Sequence, residues 1–153
     1  MPLVRLTQSE LLWQVDAEID CVVLQAHARR FVRRLGLGEP YCSRIVIALS
    51  EIATNIIKHG VRGRVLVVHL MQPSEGVLIE GTDDGPGFAD IESSLRDHFS
   101  EGRNLLDPER FARFHRGLGT GLGAVRRLMG DLTVDNLPRG GARVRAFVPT
   151  KRD

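Results

Sequence analysis

Ser50-Glu51-Ile52-Ala53-Thr54-Asn55-Ile56-Ile57-Lys58-His59 carries two helical stripes at once. Ile45, Leu49, Ile52 and Ile56 recur at the spacing of an apolar helix face turned to a core. Glu51, Asn55 and Lys58 stand at i, i+4 and i+7, so they share a different face and can act on one ligand. A carboxylate one turn from an amide offers a proton acceptor beside an oxygen ligand suited to a hard cation such as Mg2+. Taken alone, the same polar stripe equally describes a solvated helix face.

Upstream, Pro40 suits the first turn of this helix, and Gly36 and Gly38 end an earlier one. Asp16 is the expected cap of that earlier helix, with Ile19, Val22, Val23, Ala26, Phe31 and Leu35 on one apolar face. A short apolar run with Trp13, residues 11–15, precedes it. Downstream of the second helix the period changes to two. Residues 64–70 and 77–81 read as a hairpin turned at residues 72–76. Near the end, a helix over 124–129 leads to two more strands, 132–136 and 142–148, around a turn containing Pro138, Gly140 and Gly141. Helices mixed with hairpins at the middle and the end predict an α+β chain: one mixed sheet in two layers with helices on one face.

A chain of 153 residues with 42% hydrophobic composition can bury one substantial core, so a single domain over 1–153 is expected. Its 21 Lys and Arg against 19 Asp and Glu give a net charge of +2, which is not the footprint of a dedicated nucleic-acid binder. Cys21 and Cys42 lack zinc-site spacing and read as buried free thiols in a reducing compartment. No apolar run reaches the roughly 20 residues needed to span a bilayer, so a cytoplasmic protein without a membrane partner is expected. The histidines, His27, His59, His69, His98 and His115, show no ligand spacing and are assigned no metal role.

Two further motifs add chemistry. Thr82-Asp83-Asp84-Gly85-Pro86-Gly87-Phe88 follows a strand directly, placing a carboxylate at a strand end and glycines where a flat ligand can approach the backbone. Asp83 can accept a hydrogen bond from an exocyclic amine, although an ordinary turn uses the same residues. Gly117-Leu118-Gly119-Thr120-Gly121-Leu122-Gly123 sets alternating glycines before a helix start, where free N–H groups and the helix dipole favour phosphate. It lacks the Gly-Lys-Ser/Thr of a Walker loop, and no strand leads into it as a dinucleotide fingerprint requires. The polar stretch before it, with weak helical periodicity, is the expected lid, about residues 93–120.

In order and approximate spacing, these three elements resemble the N, G1 and G2 boxes of the GHKL (Bergerat-fold) ATPases. Within that superfamily the chain is similar over nearly its full length to the anti-sigma regulatory serine/threonine-protein kinases (RsbW/SpoIIAB-like), most of all to their switch-kinase branch. The likeness rests on the segment before the first helix, on Ser50-Glu51-Ile52-Ala53-Thr54-Asn55 and Asp84-Gly85-Pro86-Gly87, and on Gly119-Thr120-Gly121-Leu122-Gly123-Ala124-Val125-Arg126-Arg127-Leu128-Met129. It implies a Bergerat-type two-layer α/β sandwich that binds ATP and Mg2+. By the same resemblance Asn55 ligates the metal, Lys58 lies on the nucleotide face, Asp83 holds the adenine amine, and Gly85 and Gly87 let the base approach. Glu51 is then the general base, while Gly117, Gly119, Thr120, Gly121, Leu122 and Gly123 wrap the phosphates beneath the lid.

Two positions depart from the family pattern. Ala142 follows Gly140-Gly141 where a Thr near the adenine is frequent, and Gly119 stands where related kinases carry a basic lid residue. Arg116 is the nearest basic candidate for the γ-phosphate, with Arg113 and Arg103 further off. The resemblance implies an ATP-dependent kinase acting on a STAS-domain protein, either an anti-sigma antagonist or a stressosome scaffold. Its small size favours a protein kinase over the larger ATPases of the superfamily. The alternative is a nucleotide-gated switch that sequesters a sigma factor or activates a phosphatase by docking, and a plain ATPase module is a third reading. RsbW-like relatives dimerise through the sheet, and for this chain the resemblance leaves monomer and homodimer both open.

Overall fold

The computed structural model describes residues 7–72, 74–89, 99–100, 103–104, 122, 125 and 131–150. Strand β1, Thr7–Val15, leads into helices α1, Glu18–Arg34, and α2, Tyr41–His59. The hairpin β2, Gly63–Leu70, and β3, Gly76–Thr82, follows. Two short strands, β4, Phe99–Ser100, and β5, Arg103–Asn104, pair only with each other. The last pair is β6, Leu132–Asn136, and β7, Ala142–Pro149. Leu122 and Val125 are helical and buried.

The five long strands form one sheet in the order β1-β2-β3-β7-β6. Its pairings are antiparallel throughout, which corrects the mixed sheet expected from the sequence. The reason lies in α1 and α2. A single crossover helix between two strands makes them parallel, whereas two helices in series return the chain to the end it left, so Val15 pairs with Gly63 and β2 runs back along β1.

Alternate residues of the strands fill one side of the sheet: Val65, Val67, Val77, Ile79, Val144, Ala146 and Val148 are each at most 3% exposed. Onto this surface α2 lays Ile45, Leu49, Ile52 and Ile56, the stripe read from the sequence. Gly63 and Gly81 sit beneath it, and a Cβ at either would overlap the side chain of Ile56 or Ile52. The glycines therefore set how closely α2 lies on the hairpin.

Helix α1 buries a different flank from the one expected. Cys21, Leu24, Ala28, Phe31 and Val32 face the core, while Ile19 and Val22 are 63% and 62% exposed. Both sets recur at helical spacing, so periodicity alone could not choose between them. The helix begins at N-cap Ala17 rather than Asp16. The Asp20 carboxylate reaches back to accept the N–H groups of Asp16 and Ala17, each at 2.9 Å, which satisfies donors that a helix start leaves open. In α2, Pro40 occupies the N-cap position, and Glu39 accepts the Ser43 N–H at 3.1 Å and also its hydroxyl.

Both cysteines are free and buried, and burial pushes the Cys21 thiol above its ordinary value. His27 packs its ring 4.5 Å from that of Trp13. His69 is buried in β2 with Nε2 3.5 Å from the Glu75 carboxylate. Among the described residues no helix is long and apolar enough to cross a membrane.

Candidate functional site

Strand β3 ends at Thr82, and the chain turns at once through Asp83, which is 5% exposed. A carboxylate is costly to bury unless its oxygens are occupied, and here Oδ1 accepts the Gly85 N–H at 2.7 Å. Its own N–H donates to the Ala142 carbonyl at 3.2 Å, which extends the β3–β7 ladder by one bond into the turn. The loop after α2 closes on the other side: Asp84 N–H donates to the Val61 carbonyl at 2.7 Å. On the outside, the Asp84 carboxylate pairs with Arg62 at 3.3 Å and Arg64 at 3.6 Å. Those two pairs are exposed and contribute little on their own.

The backbone packs around Asp83 too tightly for side chains. A Cβ at Gly60 would lie 2.7 Å from the Asp83 carboxyl carbon, and one at Gly85 2.9 Å from Oδ1. Gly141 has φ +90° and sits so close to the Asp83 carbonyl that a Cβ there would overlap it. Two turns distant in sequence thus interlock at one carboxylate. Gly87 takes φ +80°, a conformation glycine adopts without a steric penalty. Its neighbour Phe88 is clamped by Asn136 at the end of β6: the Phe88 N–H donates to Oδ1 at 2.7 Å, and Nδ2 donates to the Phe88 carbonyl at 2.9 Å.

Helix α2 supplies the second wall. Its last residue is followed by Gly60, whose packing on Asp83 brings the helix end to the carboxylate. Along the helix, Glu51 is 6% exposed, and Asn55 and Lys58 are half-buried. Gln25 of α1 donates to the Ser50 hydroxyl at 3.1 Å, tying the residue before Glu51 to the neighbouring helix. Of the residues expected in the site, Asp83, Gly85 and Gly87 form one turn, and Glu51, Asn55 and Lys58 lie on the helix that ends against it. Leu122 is not a surface loop residue but a buried helical one, 2% exposed. Arg116, Gly117, Gly119, Thr120, Gly121 and Gly123 lie outside the described residues, as does the expected lid apart from β4 and β5.

Sequence reasoning missed Asn136 and the packing role of Gly141. Gly140-Gly141 was legible as a turn, but its partner Asp83 lies 58 residues earlier in the chain. Asn136 carried no local signal beyond ending a strand before Pro138.

Among the described residues no group of three His, Cys, Asp or Glu side chains could hold a metal by itself. That donor set does not suit a caged structural cation. Asn55, half-buried on α2, carries an amide oxygen of the kind that a hydrated Mg2+ accepts alongside waters and substrate phosphates.

A family model described as a histidine kinase-like ATPase domain matches residues 16–147, which spans every element from the start of α1 to β7. The chain is also 28% identical over 135 residues to the serine/threonine-protein kinase RsbT of Bacillus subtilis (strain 168). That similarity covers 88% of this chain and 92% of the relative.

Proposed function

Because the chain belongs to the histidine kinase-like ATPase domain family, and so carries an ATP-binding fold, we propose that it uses ATP with Mg2+ to phosphorylate a serine or threonine of a small regulatory protein. The observation that carries this reading is the buried Asp83 carboxylate, held at the end of β3 by a glycine-lined turn and abutting the helix of Glu51 and Asn55. Oδ1 is committed to Gly85, and Oδ2 is the acceptor for the exocyclic amine of adenine. Glycines at 85 and 87 give the flat base access to backbone.

Glu51 accepts the proton of the acceptor hydroxyl as its oxygen bonds to the γ-phosphorus. The bond from that phosphorus to the bridging oxygen breaks, and ADP leaves. Asn55 would offer its amide oxygen to Mg2+, which would supply charge neutralisation at the phosphates. Gly117, Gly119, Thr120, Gly121 and Gly123 belong to the phosphate loop, which Leu122, buried and helical, anchors to the core; Lys58 belongs to its border, and Arg116 to the lid of about 93–120, closing on the γ-phosphate. The similarity to RsbT supports a partner-switching role with a STAS-domain protein as the acceptor, in the regulation of a stress response.

Two variants test the assignment. Asp83→Asn should weaken ATP binding by calorimetry about 10–100-fold, the cost of a charged hydrogen bond. Glu51→Gln should retain ATP binding and lower transfer to a STAS-domain acceptor about 100–10,000-fold. Wild-type protein that binds no ATP would overturn the reading, whereas full regulatory output from Glu51→Gln would reassign the domain to a docking switch.

A further inference from the structure

Helix α1 turns Cys21, Leu24, Ala28, Phe31 and Val32 to the core, and the 3.6-residue repeat places Ile19, Val22, Ala26, Arg29, Arg30 and Arg33 on the opposite flank. All six are exposed, Ile19 and Val22 by 63% and 62%. The two kinds of residue are separated along the helix axis. The first turns of the stripe are apolar, the last turns carry guanidinium groups, and the whole runs about 21 Å at 1.5 Å per residue.

We infer that this stripe is a docking surface for a different protein that presents a carboxylate-rich segment continuous with an apolar one. Two neighbouring β-branched side chains left in water beside arginines have the composition of an interface centre. Arg33 and Arg34 complement the helix dipole in the last turn, but Arg29 and Arg30 lie further in, where that effect has faded. Apart from His27, the basic side chains of α1 are all arginines, the residue whose planar fork pairs with carboxylates through two hydrogen bonds. Nearby Glu39, which accepts from Ser43 and lies in the field of Arg29, is a single carboxylate beside four arginines.

Other occupants fit less well. A helix lying on a bilayer needs its apolar stripe along the full length with basic residues at the flanks; here the arginines occupy the stripe itself. Nucleic-acid phosphates would match the arginines and leave Ile19 and Val22 facing water. In a second copy, a parallel pairing sets arginine on arginine. An antiparallel one sets arginines against Ile19 and Val22, with Asp20 about 100° round the helix from Ile19 and off the stripe and Glu18 already engaged.

The inference does not rest on the kinase reading, and its peptide-binding readout contains no nucleotide. The probe is a fluorescent synthetic helical peptide with leucines along one half of a face and glutamates along the other, compared with its scrambled isomer by anisotropy. The wild type should bind the ordered peptide at least tenfold more tightly than the scrambled one. Binding should fall with salt, and Arg29→Glu with Arg30→Glu and Arg33→Glu, or Val22→Asp alone, should weaken it at least tenfold while circular dichroism and ATP binding stay unchanged. No binding of the peptide, or equal binding by the triple variant, overturns the proposal. So does arginine-dependent binding to phosphatidylglycerol vesicles, or self-association in the ultracentrifuge that the triple variant abolishes.

Discussion

At Asp83 three contacts meet: the Gly85 N–H on Oδ1, the Ala142 carbonyl on its N–H, and the Gly141 backbone against its carbonyl. A methyl group at Gly141 meets two penalties together, a positive φ and overlap with that carbonyl. Each is worth about 1–3 kcal/mol. Gly141→Ala should therefore lower the urea midpoint by an amount corresponding to ~2 kcal/mol or more, whereas Gly38→Ala, with open space around the new Cβ, should leave it nearly unchanged. Asn136 makes a contrasting prediction. It is exposed, and its two bonds to Phe88 hold a loop rather than a core. Asn136→Ala should cost about 1 kcal/mol of loop order, read in calorimetry as up to roughly tenfold weaker ATP binding with a nearly unchanged unfolding temperature. Equal losses in both measurements would mean that Asn136 serves the fold alone.

Among the elements, α2 was the most legible, because one apolar stripe dominates it and the polar stripe stands clear beside it. The hairpin of β2 and β3 and the closing pair β6 and β7 were legible for the same reason: alternation with turn residues between. Helix α1 was not, since apolar residues nearly encircle its first half, and only the bulk of Leu24, Phe31 and Val32 against the sheet decides which flank is buried. The direction of β1 depends on two helices acting in series, a property of neither segment alone. In the site, Asp83 announced itself at a strand end, while Asn136 and Gly141 act only through partners far along the chain.

The start of α1 supplies a pH test. Hydrogen bonds from the N–H groups of Asp16 and then Ala17 hold the Asp20 carboxyl below its ordinary value of 3.8. A group with a depressed folded-state pKa stabilises the fold above its unfolded-state pKa, and that contribution is lost as pH falls through the folded value. Asp20→Asn should therefore unfold at lower temperature than wild type at pH 7. The gap should narrow below about pH 4 and vanish once the wild-type carboxyl is protonated. A gap independent of pH would show that shape, and not charge, matters there.

For the whole molecule, the proposed closure of residues 93–120 over phosphate has a direct readout. Arg96, Arg103, Arg110, Arg113 and Arg116 fall within that segment, so ATP with Mg2+ should slow tryptic cleavage there severalfold relative to the nucleotide-free protein. Asp83→Asn should show no such protection. Cleavage equally fast with and without nucleotide in the wild type would remove the lid from the proposed mechanism.

The register of the sheet also decides which of its ends is crowded. Thr7, Leu70, Gly76 and Pro149 line up at one end, and Val15, Gly63, Thr82 and Ala142 lie toward the other, from which Asp83 continues. Strand β1 thus enters and β7 exits at the pole opposite the Asp83 turn. A fluorophore carried in the turn that precedes Gly76, between the hairpin strands at that pole, would sit a full strand length from Asp83, so a change in its signal on adding ATP would report a rearrangement of the sheet and not direct contact with the ligand.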